Sequence, residues 1–106
     1  MDNLITIHSL EEFEKTTEQK SIFLFTTNWC PDCVFIKPFI GDLVKDNPEF
    51  TYYLVDCDDH IDICKDLDIL GIPSFVAFNN KEEVGRFVSK LRKTKAEIQA
   101  FIDSVK

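Results

Sequence analysis

The 106-residue chain is poor in glycine (three) and proline (four), with no Gly/Ser-rich stretch, repeat or low-complexity run. Nothing in it reads as a linker, and a length near 100 fits one compact domain over residues 1–106. Positive charge is also scarce: 12 basic against 19 acidic side chains leave a net charge of −7. A phosphate backbone rewards clustered Lys and Arg, so the deficit argues against nucleic acid. It equally disfavours an anionic membrane surface. Long apolar runs are missing, none approaching the ~18 residues of a membrane span. Met1–Leu10 has neither the basic start nor the apolar stretch of a targeting segment. The expectation is a cytoplasmic protein. In that reducing setting its four cysteines read first as free, catalytic or metal-bound thiols.

What is present is a globular balance, 44% hydrophobic and 29% charged, with ten Phe for a dense aromatic core. Leu4–His8 reads as a short strand, and Ser9 with Glu12 as a capping box opening a helix to about Gln19. Ile22–Phe25 is continuously apolar, as expected of a strand covered on both faces. A helix follows from Pro31 to about Lys45, with Ile36, Phe39, Ile40, Leu43 and Val44 on one side and a kink expected at Pro38. Asn47-Pro48 marks a turn and Phe50–Cys57 a strand. His60–Leu67 reads as a short helix capped by Asp58 or Asp59. Ser74–Phe78 and Val84–Val88 pair across a turn at Asn79–Glu82. A Thr94/Glu97 capping box opens a last helix with Ile98, Phe101, Ile102 and Val105 on its inner face. The order β-α-β-α-β-α-β-β-α implies an α/β fold, a mixed central sheet with helices on both faces.

The chemistry concentrates in Trp29-Cys30-Pro31-Asp32-Cys33, where a buried strand hands over to a helix. Cys30 falls at the N-cap and Pro31 at the first helical position, where its missing N–H is not needed. Cys33 lies one turn on, within disulfide reach of Cys30. Unsatisfied N–H groups and the helix dipole favour a thiolate at Cys30. One helical turn thus offers a nucleophile and a resolving thiol. C-x-x-C alone is weak; strand, Trp, C-x-x-C and helix in that order is specific.

With this motif and Gly71-Ile72-Pro73-Ser74, the chain resembles the thioredoxin family over essentially its whole length, in the form with W-C-P-D-C. Pro38 also falls where that family kinks its active-site helix. The resemblance implies the thioredoxin fold and a thiol–disulfide oxidoreductase. Cys30 would attack a substrate disulfide, and Cys33 would resolve the mixed disulfide, leaving a redox-active Cys30–Cys33 bridge. It implies a cis bond before Pro73, and a substrate peptide framed by Trp29, Pro31, Ile72, Pro73 and Ser89. It implies no bound cofactor and no metal, and electrons from an NADPH-dependent flavoprotein of the thioredoxin reductase kind. Substrates would be disulfide-containing proteins or small disulfides, met by a monomer.

Three positions depart from the family pattern. The usual buried Asp is Leu24, and the Lys that partners it is Leu54; losing both is tolerable where losing one would strand a charge. Without that Asp, Cys33 needs another base or resolves slowly. Asp32 is a candidate modulator, and equally a good residue for a first helical turn. Ser89 falls near the Gly that lines the family's groove, followed by about two extra residues before the last helix.

The remaining candidates read more plainly. Cys57 and Cys64 read as buried free thiols behaving as small hydrophobes, the alternative being a regulatory disulfide or a glutathionylation site. Their spacing does not suit a zinc knuckle, and a cluster shared between chains through Cys30 and Cys33 would be unusual. His8 and His60 read as surface or capping residues. Asp58, Asp59, Asp62, Asp66 and Asp68 read mainly as a solvated face, whose start the resemblance places beside the site, and Lys90, Arg92, Lys93 and Lys95 as a solvated loop. Two rival functions stand beside the reductase. A glutaredoxin-like enzyme would use a low-molecular-weight thiol, against which Trp29 and the Asp58-Asp59 surface weigh. A non-catalytic module would keep the fold and use its groove for recognition.

Overall fold

The computed structural model describes residues 3–106. Its elements are β1 (Ile5–Thr6), α1 (Leu10–Thr16), β2 (Ser21–Thr26), α2 (Pro31–Asp46), β3 (Thr51–Asp56), α3 (Ile61–Asp66), β4 (Ser74–Asn79), β5 (Glu82–Phe87) and α4 (Lys95–Ser104). They form one five-stranded sheet in the order β1-β3-β2-β4-β5. β1, β3 and β2 run parallel; β4 and β5 are antiparallel to their neighbours. This is the mixed sheet that the order of elements in the sequence implies.

β2 at the centre is buried along all six residues, because alternate side chains feed two different cores. Ile22 and Leu24 join Ile36, Ile40 and Leu43 of α2 and Ile98, Phe101 and Ile102 of α4. Phe23 and Phe25 point the other way, to Phe13 of α1, Ile63 of α3 and Tyr53, Val76 and Phe78. Phe23 has no exposed surface and stacks on Tyr53 with centroids 5.0 Å apart. Burying such a side chain contributes roughly 2–3 kcal/mol.

Local signals explain most boundaries. Ser9 Oγ accepts the Glu12 N–H at 3.0 Å, but Glu12 does not return the bond, and α1 stops at Thr16 rather than near Gln19. Thr94 and Glu97 form the complete box. The β4–β5 hairpin turns on Asn80 and Lys81, whose φ values of 54° and 69° suit the tight turns that match strand twist. Neither Asp58 nor Asp59 caps α3. His60 occupies that position without a side-chain bond, because the Asp58 carboxylate is engaged elsewhere.

The topology brings three segments to one end of the sheet. Parallel β2 and β3 end there, at Thr26 and Asp56, and antiparallel β4 begins there, with Ser74 opposite Phe25. The segments after β2 and β3 and before β4 therefore meet where strand direction changes, the usual place for a site in an open α/β sheet.

Candidate active site

Cys30 caps α2 in an extended conformation (φ −78°, ψ 119°), with Pro31 behind it. Its carbonyl accepts the N–H groups of Cys33 and Val34, both at 3.1 Å, while no side chain caps the helix. Both thiols are free. Cys30 is 7% exposed and Cys33 1%, so the first thiol alone faces outward. Cys30 Sγ donates to the Ile72 carbonyl at 3.8 Å, and the Ile72–Pro73 bond is cis. Burial pushes the Cys33 thiol up to about 11, against smaller opposing contacts from the Thr26 side chain and the Thr27 backbone. Cys33 is therefore a neutral thiol near pH 7. Thr27 Oγ1 beside it is buried without a hydrogen-bond partner.

Leu24 and Leu54 are direct cross-strand partners. Both pack in the cluster beneath α2. No ionisable pair exists at those positions, and the gap left by polar groups is filled by hydrocarbon.

The flanks differ from a simple solvated surface. Trp29 is 68% exposed, and its Nε1 donates to Asp58 Oδ2 at 2.8 Å. Asp32 accepts from Arg92 Nε at 2.8 Å, and the Arg92 guanidinium covers the Phe35 ring at 4.4 Å. Ser89 lies beside Gly71: a Cβ on Gly71 would come within 2.5 Å of Ser89 C and 2.7 Å of Lys90 N. Only glycine allows that approach. The Ser89 hydroxyl is turned into its own loop, where it accepts from Leu91 N–H and Lys93 Nζ.

Two sequence expectations need correction. Cys57 and Cys64 are not free thiols but a disulfide, with Cα atoms 5.9 Å apart. The end of β3 and the middle of α3 are neighbours, so seven residues of chain close a loop of disulfide geometry. The other correction concerns Lys93, which is not in a solvated loop: it is 1% exposed, and Arg92 is ion-paired. Charge density hid this, because a run of four basic residues carries no mark of which side chain turns inward. Among the described residues, no group of three or more His, Cys, Asp or Glu side chains is arranged to hold a metal, and no helix is long and apolar enough to cross a membrane.

Known proteins share this arrangement. The Thioredoxin family model matches residues 4–104. A thioredoxin H-type from Fagopyrum esculentum is 31% identical over 91 residues, covering 80% of this chain and 78% of that one. Another, from Brassica campestris, is 28% identical over 103 residues, covering 92% and 81%. The crystal structure of oxidised thioredoxin O1 from Arabidopsis thaliana superposes with a TM-score of 0.80 at 26% identity, over 98% of both chains. The Malassezia sympodialis thioredoxin does so at 0.83 and 25%, over 96% of this chain and 90% of that one. Sheet order, the paired thiols at the α2 N-terminus and these relatives agree: the chain belongs to the thioredoxin family of thiol–disulfide oxidoreductases.

Proposed function

We propose that this chain reduces disulfides of proteins or small molecules, with Cys30 as nucleophile and Cys33 as resolving thiol. The observation that carries the reading is the asymmetry of the pair. Cys30 sits at the N-terminus of α2, where no side chain caps the helix, and is the more exposed of the two thiols, while Cys33 is buried as a neutral thiol. The Cys30 thiolate attacks one sulfur of the substrate disulfide. A Cys30–substrate bond forms, the substrate S–S bond breaks, and the leaving thiolate takes up a proton. Cys33 then loses its proton and attacks Cys30 Sγ, forming the Cys30–Cys33 bridge and releasing the second substrate thiol. Two electrons and two protons pass from the dithiol to the substrate.

Trp29, Pro31, Ile72, Pro73 and Ser89 are the proposed frame for the substrate segment. The Ile72 carbonyl accepts from Cys30 Sγ, and Trp29, next to Cys30 in the chain, is exposed, which supports that placement. Asp32 is not proposed as the base, since its carboxylate is paired with Arg92. Thioredoxins work without a bound cofactor, and a thioredoxin reductase donor is what the family implies in general. The proposed source of electrons is accordingly an NADPH-dependent flavoprotein. The proposed setting is the cytosol and the proposed state a monomer.

A Cys33→Ser variant tests the reading directly. It should accumulate Cys30-linked mixed disulfides that a reducing gel collapses, and these would name the substrates. A variant that captures nothing, together with wild-type insulin reduction no faster than that of a Cys30→Ala/Cys33→Ala chain, would defeat it.

A further inference from the structure

Lysine is almost never fully buried unless its charge is answered, yet Lys93 is 1% exposed. Its Nζ donates to Ser89 O at 3.2 Å, Ser89 Oγ at 3.2 Å and Leu91 O at 3.0 Å, using every donor an ammonium has. The Phe87 ring lies 5.1 Å away. All three acceptors are neutral. Among the described residues no carboxylate comes within ion-pairing distance of Nζ. The charge is solvated by its own loop but not neutralised.

That loop is part of the site. Its Ser89 end abuts Gly71, just before Ile72 and Pro73, and Arg92 fastens it to Asp32 on the first turn of α2. The charged and titratable groups within Coulombic reach of Lys93 are Asp32, Cys33 and Cys30 on α2 and Glu97 on α4. Asp32 is already matched by Arg92. Glu97 Oε1 is occupied by the Thr94 N–H and hydroxyl, each at 3.0 Å. The dithiol is the part of that surrounding with no partner of opposite charge.

The geometry points to Lys93 as a positioning residue for the resolving step: the Ser89–Lys93 loop holds a buried ammonium, without an ion-pair partner, that gains a counter-charge when Cys33 becomes a thiolate. This rests on the reading of Cys33 as the resolving thiol. In the resting dithiol, burial keeps Cys33 protonated and also lowers the affinity of Lys93 for its proton. Once Cys33 gives its proton to solvent, attraction between thiolate and ammonium acts through a poorly polarisable interior and exceeds its value in water. The interaction is weak in the ground state and strong at the attacking thiolate, the condition for speeding a step. Cys33 Sγ then bonds Cys30 Sγ, the Cys30–substrate bond breaks, and Lys93 keeps all three protons. Leu24 and Leu54, packed in the cluster beneath α2, offer Cys33 no charge, and the cation comes instead from the loop before α4.

Lys93→Met and Lys93→Arg are compared at pH 7–8, where Lys93 carries its charge and Cys33 is a thiol. In a Cys30→Ser background, which isolates Cys33, Met should slow alkylation of Cys33 by iodoacetamide about tenfold, and Arg should restore it. In the dithiol chain Met should slow resolution of a preformed mixed disulfide by a similar factor and leave the first attack within about twofold. Equal alkylation rates in a folded Met variant and its parent overturn the inference. Should Met not fold, Lys93→Gln, which keeps donors without the charge, takes its place with the same two outcomes. Slower alkylation in a chain that reduces no disulfide supports the charge coupling and counts instead against the reductase reading.

Discussion

The two cysteine pairs sit at the same end of the sheet and are in opposite states. Cys30 and Cys33 are free; Cys57 and Cys64 are bonded. The contrast follows from what the backbone around each sulfur is doing. Cys30 caps a helix whose first turn has no side-chain cap and whose Cys33 and Val34 N–H groups turn back to the Cys30 carbonyl. Cys57 N–H instead donates to Thr26 O at 2.9 Å, Cys64 N–H to His60 O at 3.2 Å, and Cys64 O accepts from Ile69. The sulfurs of the second pair border a cavity of about 330 Å³ whose rim includes exposed Ile61 and Leu70, and none of the Trp29–Cys33 residues lines it. One pair is arranged to exchange bonds and the other to keep one.

Exchanging the roles by mutation should therefore give crossed results. Cys30→Ser should lower insulin reduction by about a thousandfold or more, the loss expected when a covalent nucleophile goes, and change urea stability little. Cys57→Ala with Cys64→Ala should leave turnover within about threefold. It should cost roughly 2–3 kcal/mol in non-reducing urea denaturation, the value for closing a short loop. If the second double variant loses turnover as severely as Cys30→Ser, the division of labour between the pairs is wrong.

A smaller effect separates the pairs by pH. With the Cys33 thiol pushed up to about 11 by burial, the fraction of attacking thiolate rises tenfold per unit below that value. Resolution of a preformed mixed disulfide, followed by stopped flow, should climb by about a factor of ten per pH unit through pH 7–10 and level off near 11. The bonded pair contributes no titrating thiol to that profile. A rate that flattens near pH 8 would mean that Cys33 is more hydrated than its 1% exposure implies.

How far the sequence led differs between these regions for physical reasons. The order of elements, the sheet and the Cys30–Cys33 turn were legible because local signals agree with the fold: the apolar run at Ile22–Phe25, Pro31 after a capping residue, and Thr94 with Glu97. The Cys57–Cys64 bond was not legible. A strand end and a helix middle carry no spacing rule, and their meeting depends on how α3 lies on the Phe23–Phe25 side of the sheet. Lys93 was missed for a similar reason. Its burial comes from a loop folding back on Ser89 and Leu91, which no periodicity announces. The Asp58 cap also failed, since a tertiary partner, Trp29, took the carboxylate that a local rule assigned to α3.

That Asp58–Trp29 bond joins the two regions, because Asp58 follows Cys57 directly and Trp29 precedes Cys30. The bond is exposed, so its net worth is small: Asp58→Ala should cost less than about 1 kcal/mol in stability. The ring should respond more than the fold does. Trp29 is the single tryptophan, so its emission reports this one position. Asp58→Ala should alter that emission and raise KM for a peptide disulfide about twofold with kcat nearly unchanged, since Trp29 adjoins Cys30 in the chain without taking part in bond exchange. Asp58→Asn, which keeps an oxygen acceptor, should fall between. The segment from Cys57 to Cys64 would then serve the dithiol by holding its flank. Identical emission in Asp58→Ala and wild type would remove that link and leave the two pairs as independent features of one sheet end.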